Sequence, residues 1–194
     1  RRGDEMNSLL LIAGPTGVGK SSVIDLLCSF GLFCYIHPYT TRPLREGERN
    51  KISVSDEEYE ERLHAGEFLV TNSLYGFRYG TPRKELFDAI RGEKIPIIDW
   101  PVFSVQLIKD AVYPVRSLTY YLVPPDGGTL KSRLAKRDGE SSDSQRWDLA
   151  KDEVARFRMG DFNDSIDATI VCAGSLESVA SDVITQLKRD GVLV

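Results

Sequence analysis

The sequence predicts an α/β fold in which a five-stranded parallel sheet is covered by helices on both faces. Short apolar segments, rich in β-branched residues, alternate along the chain with segments in which apolar residues recur at helical spacing. This alternation is typical of parallel sheets, because the connection between two parallel strands usually crosses over as a helix. The chain has 194 residues, 41% of them hydrophobic, which suits one domain with its own core.

The predicted strands are short and apolar, as expected of strands that are buried on both faces. They are Leu9–Ala13, Phe33–Ile36, Ile95–Ile98, Leu118–Val123 and Ala168–Cys172. Helical spacing and helix-start residues predict the segments between and after them. These helices are Ser22–Phe30, one with Thr81 as its N-cap and Pro82 in its first turn, one that starts at Pro101, Asp126–Arg137, one after Ser144 and one from Ser175.

Two regions depart from this alternation. From Pro38 to Tyr79 the chain is first basic, then acidic, and its predicted strands are short, which indicates a lobe inserted over the sheet edge. Within it, Ser55-Asp56-Glu57-Glu58 is a capping box that predicts a short helix. The charged segment 126–160 is a second candidate for a mobile element.

Composition limits the classes of partner. The formal net charge of −4 argues against a nucleic-acid duplex or an anionic membrane as the main partner. The longest apolar run near the start, Leu9–Ala13, is too short to span a bilayer. The three cysteines are an odd number and lack the spacing of a metal site. This favours free thiols in a reducing compartment. We therefore expect a cytoplasmic protein, monomeric or homodimeric, that acts on small molecules.

The strongest motif is a glycine-rich stretch between the first predicted strand and the first predicted helix. It reads Gly14-Pro15-Thr16-Gly17-Val18-Gly19-Lys20-Ser21 and is followed by Ser22. Glycines let backbone amides turn inward around phosphate oxygens, and the helix N-terminus adds a partial positive charge. In this P-loop, Lys20 is expected to reach the β- and γ-phosphates of ATP, and Ser21 to bind Mg²⁺.

Further polar residues follow predicted strands or lie on a stiffened loop. Asp99 ends an apolar strand, where P-loop proteins place a magnesium contact, although a single Asp after a strand is also common. Arg42 and Arg45 flank a proline, and their guanidinium groups match phosphate oxygens. A solvated basic loop is the alternative interpretation. Tyr79 and Thr81 offer two hydroxyl groups to the same phosphate.

Taken in order, these motifs resemble the guanylate kinase family. The matching set comprises the P-loop, Thr40-Thr41-Arg42-Pro43-Leu44-Arg45-Glu46-Gly47-Glu48, Gly66-Glu67-Phe68, Tyr79-Gly80-Thr81, Asp99, Pro124-Pro125 and a late run of arginines. The resemblance covers almost the whole chain and implies a P-loop kinase core with an inserted monophosphate-binding lobe and a helical lid. It implies a single domain at 6–194, with the core at about 6–37, 89–125 and 161–194, the acceptor-binding lobe at about 38–88 and the lid at about 126–160.

The resemblance also implies roles for individual residues. The acceptor phosphate would be held by Arg42, Arg45, Tyr79 and Thr81, and Val70, Asn72 and Asp99 would complete the acceptor site. In the lid, Arg133, Arg137 and Arg146 match arginines that gather around the transferring phosphoryl group, and Arg133 also belongs to the ATP site. An exposed helix face is the alternative for these lid residues. The implied catalytic set is Lys20, Arg42, Arg137 and Arg146, with Mg²⁺ held by Ser21 and Asp99.

This chain departs from the family pattern at the positions with which the family recognises guanine. Val70 stands where the family usually has Glu, and Pro101 where it has Asp. Pro38 replaces a small hydroxyl residue, and Lys51 is the nearest residue to a phosphate-binding Tyr that is missing from a shortened loop. Cys172 stands where an Asn often contacts the donor nucleotide. A site without hydrogen-bond acceptors cannot select guanine in the family's way, although Thr71 and Asn72 offer another polar code.

The leading hypothesis is a nucleoside monophosphate kinase. It would transfer the γ-phosphoryl group of ATP to a (deoxy)nucleoside monophosphate, with GMP or dGMP as the family default. The first alternative is a sugar-phosphate kinase similar to the related ribose bisphosphate kinases, which also lack the guanine readers. The second is a non-catalytic binding module of the same fold, against which the intact Lys20 and Ser21 argue.

Overall fold

The structure, a computed structural model, describes residues 7–138 and 144–194. Its strands in chain order are β1 (Leu9–Ala13), β2 (Phe33–Tyr35), β3 (Tyr39–Thr40), β4 (Ile52–Ser53), β5 (Phe68–Leu74), β6 (Phe77–Pro82), β7 (Ile95–Asp99), β8 (Ser117–Val123) and β9 (Ala168–Val171). Its α-helices are α1 (Lys20–Ser29), α2 (Asp56–His64), α3 (Arg83–Ile90), α4 (Val105–Val112), α5 (Gly127–Asp138), α6 (Ser144–Met159) and α7 (Leu176–Arg189). Among these described helices, none has both the length and the apolar character to cross a membrane.

The main sheet is parallel throughout, with the strand order β2-β7-β1-β8-β9. The predicted five-stranded parallel sheet is therefore confirmed. β1 lies at its centre, and its Ile12 is in register with Asp99 of β7 on one side and Tyr120 of β8 on the other. Parallel register brings the carboxyl ends of β1 and β7 to one edge, so the P-loop that follows β1 lies beside Asp99.

Helices cover both faces of this sheet. α1 and α7 pack on one face through Val23, Ile24, Leu27, Val179, Val183 and Leu187. α3 and α4 pack on the other face through Leu86, Ile90, Val105, Ile108 and Val112. Each such aliphatic side chain stabilises the fold by about 1.5–3 kcal/mol when it is fully buried. The sheet that carries the P-loop is therefore a rigid base for the site.

A second, four-stranded sheet is inserted between β2 and α3, with the order β4-β3-β6-β5. β5 and β6 form an antiparallel hairpin whose two-residue turn, Tyr75-Gly76, has φ values of 54° and 76°. Two positive φ values in such a turn match the twist of the flanking strands. α2 packs on this sheet through the buried Tyr59, whose ring contacts Phe68. The Ser55 side chain accepts a hydrogen bond from the Glu58 amide, as the capping box predicts. We call residues 38–88 the small-sheet lobe.

The predicted start of α3 is wrong. Thr81 and Pro82 belong to β6, where Thr81 is in register with Val70. The Arg83 amide donates to the Glu67 carbonyl at 2.8 Å, so the strand pairing continues to the residue at which the helix begins. Cross-strand pairing holds Thr81 extended and buries it, which leaves its hydroxyl unable to cap the helix.

Candidate active site

The P-loop wraps tightly between β1 and α1. Gly14 and Gly17 have φ values of 138° and 84°, which only glycine adopts readily. A Cβ atom on Gly14 would lie 2.6 Å from the Leu122 carbonyl oxygen, and one on Gly17 would lie 2.8 Å from the Leu134 side chain. Both glycines are thus required by backbone conformation and by close packing. The loop presents its amides to the cleft at the N-terminus of α1.

Lys20 folds back over this loop. Its Nζ donates to the carbonyl oxygens of Gly14 and Pro15, at 2.5 and 3.2 Å. The Arg133 guanidinium reaches the loop from α5 and donates to the Val18 carbonyl oxygen at 2.9 Å. Two cations therefore stand at the place where phosphate oxygens would bind.

The cleft beside the P-loop has a volume of about 1060 Å³. This is at the upper end of the range for a single small-molecule site, so two substrates fit side by side. Most of the residues predicted from the sequence line it: Gly14, Thr16, Gly17, Val18, Gly19, Lys20, Ser21, Ser22, Arg42, Arg45, Asn72, Tyr79, Asp99, Arg133 and Arg146. The fold thus brings the P-loop and the Arg42 loop, which are distant in sequence, into one cavity.

The other four predicted site residues are Pro15, Val70, Thr81 and Arg137. Pro15 contributes its carbonyl oxygen to Lys20 but is not among the described residues that line the cleft. Val70 and Thr81 are not among them either: Val70 packs against the core on the α3 side, and Thr81 is only 2% exposed. The Arg137 side chain lies outside the part of the chain whose side chains the structure describes.

Arg42 is held in place before any ligand binds. Its Nη2 donates to both carboxylate oxygens of Glu48 at 2.6 Å, and its Nη1 donates to the Pro43 carbonyl oxygen at 2.8 Å. The same carboxylate accepts from the Arg45 amide at 3.0 Å. Burial opposes the charge of Arg42, but Glu48, with a smaller contribution from Tyr79, raises the pKa of Arg42 above its ordinary value. Glu48 therefore fixes the buried arginine and shapes the loop on which Arg45 lies.

Asp99 lies between the two halves of the cleft. Its Oδ2 is 3.6 Å from Lys51 Nζ, and its Oδ1 accepts a short hydrogen bond from the Tyr35 hydroxyl. Burial disfavours the carboxylate, but Lys51, Tyr35 and Lys20 outweigh it and lower the pKa of Asp99. Asp99 is therefore ionised at neutral pH, and its negative charge is partly neutralised by Lys51 of the small-sheet lobe.

Apolar side chains also line the cleft. They are Pro38, Trp100, Pro101 and Phe103. Two of the positions that depart from the family pattern, Pro38 and Pro101, therefore line the cavity. Neither side chain can accept a hydrogen bond from a base edge.

Two amide side chains also line this cavity. Asn50 and Asn72 line the cleft, and the Oδ1 atom of each is buried with no hydrogen-bond partner among the described residues. Thr71, the neighbour of Asn72, is exposed and is not among the described cleft residues.

Sequence reasoning missed Glu153 of α6, which also lines the cleft. Its carboxylate accepts a hydrogen bond from the Tyr121 hydroxyl at 3.1 Å, and the Tyr121 ring stacks on Phe157 at 4.5 Å. Burial raises the pKa of Glu153, although Lys20 opposes this rise. No sequence signal separates Glu153 from the other acidic residues of its charged helix.

Cys172 lies in the cleft near the cations of the donor side. Burial raises the pKa of its thiol to about 11, with Arg133 and Lys20 acting in the opposite direction. The thiol is therefore neutral at physiological pH. It offers a weak hydrogen-bond donor where the family often has an amide.

The protein groups that suit a magnesium ion are few. Residues 7–138 and 144–194 contain no cluster of three or more His, Cys, Asp or Glu side chains that could hold a metal by themselves. The side chains of Ser21 and Asp99 carry oxygen atoms and line the cleft together with the P-loop. This donor set fits Mg²⁺, which usually binds through one or two protein oxygens together with substrate phosphates.

Comparison with known proteins gives a consistent result. The guanylate kinase family model matches residues 6–177. A guanylate kinase of Porphyromonas gingivalis is 30% identical over 189 residues, which cover 93% of this chain and all of the relative. One of Malacoplasma penetrans is 32% identical over 166 residues, which cover 82% of this chain and 85% of the relative.

Solved structures show the same fold. The crystal structure of guanylate kinase from Anaplasma phagocytophilum superimposes with a TM-score of 0.73 at 19% identity, over 95% of this chain and 86% of that one. A gluconokinase from Sinorhizobium meliloti superimposes with a TM-score of 0.52 at 14% identity, over 95% of this chain and 94% of that one. At these identities the likeness concerns the fold alone.

Proposed function

This chain belongs to the guanylate kinase family and is a nucleoside monophosphate kinase, and we propose that it transfers the γ-phosphoryl group of ATP to an acceptor monophosphate bound beside Arg42. GMP and dGMP are the default acceptors. The observation that carries the proposal is the single cavity of about 1060 Å³ that contains both the P-loop Lys20 and the buried Arg42. A donor and an acceptor phosphate bound at these cations would face each other.

The donor side would hold ATP through the P-loop amides, Lys20 and Arg133. Lys20 already lies over the loop, so binding phosphate needs only an exchange of its carbonyl partners for phosphate oxygens. Ser21 and Asp99 would hold Mg²⁺, which when bound would supply partial neutralisation of the phosphate charge. Phosphoryl transfer needs little covalent chemistry from the protein, so positioning and charge neutralisation by Lys20, Arg42, Arg137 and Arg146 would provide the catalysis.

The acceptor phosphate would bind to Arg42 and Arg45, with Tyr79 beside them. The Arg42 guanidinium group is held by its hydrogen bonds to Glu48, so little side-chain entropy is lost when the phosphate binds. Beyond the phosphate, the apolar residues Pro38 and Pro101 would contact the base without reading its hydrogen-bonding edge. We therefore propose that the enzyme discriminates only weakly between bases.

The small-sheet lobe and the segment 126–160 would close over the two substrates. Closure excludes water, which would otherwise accept the phosphoryl group in place of the acceptor. Arg133 of α5 and Arg146 of α6 line the cleft from the segment 126–160, which supports this role.

A sugar-phosphate kinase is the second candidate. It is favoured by the apolar lining at Pro38 and Pro101 and by Lys51, a cation in the cleft where the family has a phosphate-binding Tyr. Such an acceptor needs phosphate contacts and no base reading.

One assay separates these candidates. ADP release is measured with GMP, dGMP, AMP, dAMP, CMP, UMP, dTMP and ribose bisphosphate as acceptors. We expect turnover with GMP, and turnover with the other nucleotides that is within about a hundredfold of the GMP rate. A pocket without hydrogen-bonding side chains for the base discriminates between bases by only about that factor. Turnover with ribose bisphosphate alone would favour the sugar-phosphate kinase, and no turnover with any acceptor would contradict the proposed reaction.

A further inference from the structure

The amide oxygen of Asn72 is a buried hydrogen-bond acceptor that the protein leaves unused. It has no partner among the described residues, and its side chain lines the cleft. Buried polar atoms in folded proteins are nearly always hydrogen-bonded, so an exception that faces a ligand cavity indicates that the ligand supplies the partner. A carbonyl oxygen can only accept, so that partner must be an O–H or N–H group.

The register of β5 and β6 places Asn72 relative to the residues that would bind the acceptor phosphate. Residues directly opposite each other in an antiparallel pair share a face. Asn72 is opposite Tyr79, and Val70 is opposite Thr81. Tyr79 lies close enough to Arg42 to interact with its guanidinium. Asn72 is therefore beside the residues that would hold the acceptor phosphate, and the Val70–Thr81 pair is two residues farther along the strands, or about 6–7 Å.

The chemical groups of a nucleoside monophosphate indicate which of them can donate a hydrogen bond to Asn72. The phosphate itself carries no donor when it is ionised, and its oxygens would repel a carbonyl oxygen. The base is the most distant part and would reach the apolar residues Pro38 and Pro101. The donors next to the phosphate are the hydroxyl groups of the sugar.

We propose that the Asn72 amide oxygen accepts a hydrogen bond from a ribose hydroxyl group of the acceptor, which makes Asn72 a specificity residue for the sugar of the acceptor. This inference rests on the proposed function, because it takes the acceptor phosphate to be bound at Arg42 and Tyr79. Asn50, whose Oδ1 is also buried without a described partner, supplies a second acceptor in the same cavity.

The test is a binding measurement that does not depend on turnover. Isothermal titration calorimetry of the full chain without ATP compares GMP, 2′-deoxy-GMP and 3′-deoxy-GMP. The wild-type protein is expected to bind GMP roughly tenfold or more tightly than the analogue that lacks the contacted hydroxyl, because that analogue leaves a buried oxygen unpaired. Asn72→Leu should weaken GMP binding by about that factor and leave the weaker analogue unchanged.

Matched variants keep the result interpretable. Thr71→Val changes the exposed neighbour and should preserve the preference for GMP. Asn72→Ala, with circular dichroism as a folding check, replaces Asn72→Leu if leucine does not fit the site. Equal binding of the three nucleotides by the wild-type protein, or a preference that survives both Asn72 variants, would overturn the inference.

Two further outcomes separate the ribose assignment of Asn72 from base recognition and from the proposed reaction. If the Asn72 variants weaken all three guanine nucleotides equally and leave AMP binding unchanged, Asn72 reads the base and the ribose assignment is wrong. If the binding preference behaves as expected but no ADP is released with any acceptor, the proposed reaction fails and the assignment of Asn72 stands.

Discussion

Lys51 Nζ lies 3.6 Å from Asp99 Oδ2, and this ion pair joins the small-sheet lobe to the carboxyl end of β7. The two side chains are only 13% and 19% exposed, so water screens the pair poorly. Asp99 is also bonded to Tyr35 and lies within electrostatic range of Lys20. One carboxylate thus connects the donor side of the cleft, the acceptor side and the central sheet.

The first prediction concerns the stability of this pair. Asp99→Asn should lower the free energy of unfolding by about 1–3 kcal/mol at pH 7, since it leaves the largely buried Lys51 without its anion. Asp99→Asn combined with Lys51→Met should lose less than the sum of the two single changes. Urea unfolding of the four proteins measures this coupling. Additivity of the two changes within about 0.5 kcal/mol would show that the pair contributes nothing.

The pH dependence of the same pair has a definite sign. The folded protein lowers the pKa of Asp99, so its carboxylate stabilises the fold above the pKa of the unfolded chain. That contribution is lost as pH falls through the lower, folded pKa. The difference in stability between wild type and Asp99→Asn should therefore shrink in acid. A difference that grows in acid would contradict the assignment.

The second prediction concerns the P-loop lysine. Lys20→Ala should reduce kcat by roughly a hundredfold to several thousandfold, because such electrostatic contacts to a transition state are worth about 3–5 kcal/mol. Its near-ultraviolet and far-ultraviolet circular dichroism should stay native. The exposed Lys84→Ala serves as the control for loss of a surface cation and should retain activity. A folded Lys20→Ala protein with near-normal turnover would refute the proposed donor site.

Much of the fold could be predicted because the signals are local. The strands of the main sheet are continuous apolar runs, and the P-loop is fixed by glycines whose positive φ values at Gly14 and Gly17 disfavour any side chain. Ser55 caps its helix as expected and accepts a hydrogen bond from the Glu58 amide. The helix predicted from Ser175 starts there, and the Ser175 hydroxyl accepts a hydrogen bond from the Ser178 amide. In each case the residues that determine the structure are neighbours in sequence.

The parts that could not be predicted depend on contacts between distant residues. The signal at Thr81-Pro82 is compatible with a helix start, but pairing with β5 keeps both residues in a strand. The lack of a partner for Asn72 becomes visible only when the cleft is assembled. Glu153 meets Tyr121 across 32 residues, and nothing in its own segment indicates that contact.

The third prediction uses Val70, where the family usually has Glu. Val70 packs against the core on the α3 side and is not among the described residues that line the cleft. Val70→Glu should therefore lower the free energy of unfolding by about 1–3 kcal/mol, because it places a carboxylate against apolar side chains. It should not increase the preference for GMP over AMP. Thr71→Glu, on the exposed face of the same strand, should be nearly neutral.

Thermal unfolding measures the predicted loss of stability of Val70→Glu, and kcat/KM for GMP and AMP measures its nucleotide preference. A stable Val70→Glu protein with a clear gain in guanine preference would show that this position does reach the acceptor base.

The fourth prediction concerns Glu153, whose carboxylate is partly buried between α6 and β8 and accepts a hydrogen bond from the Tyr121 hydroxyl. Burial raises the pKa of Glu153 in the folded protein, so ionisation of this group opposes folding. A raised folded pKa means that the folded state binds more protons than the unfolded state, and stability falls as pH rises between the two pKa values. Glu153→Gln removes the charge but keeps an oxygen that can accept from Tyr121.

Glu153→Gln should therefore be more stable than the wild-type protein at neutral and alkaline pH. The difference should disappear as pH falls to about 4.3, the ordinary pKa of Glu, because the wild-type carboxyl group is then protonated in the folded protein. Melting temperatures from pH 4 to 8 measure this, and Asp148→Asn, an exposed change on the same helix, controls for the altered net charge. If Glu153→Gln were less stable than the wild type at pH 8, attraction between Glu153 and Lys20 would outweigh the cost of burying the carboxylate. Glu153 would then hold α6 against the P-loop as an ion-pair partner.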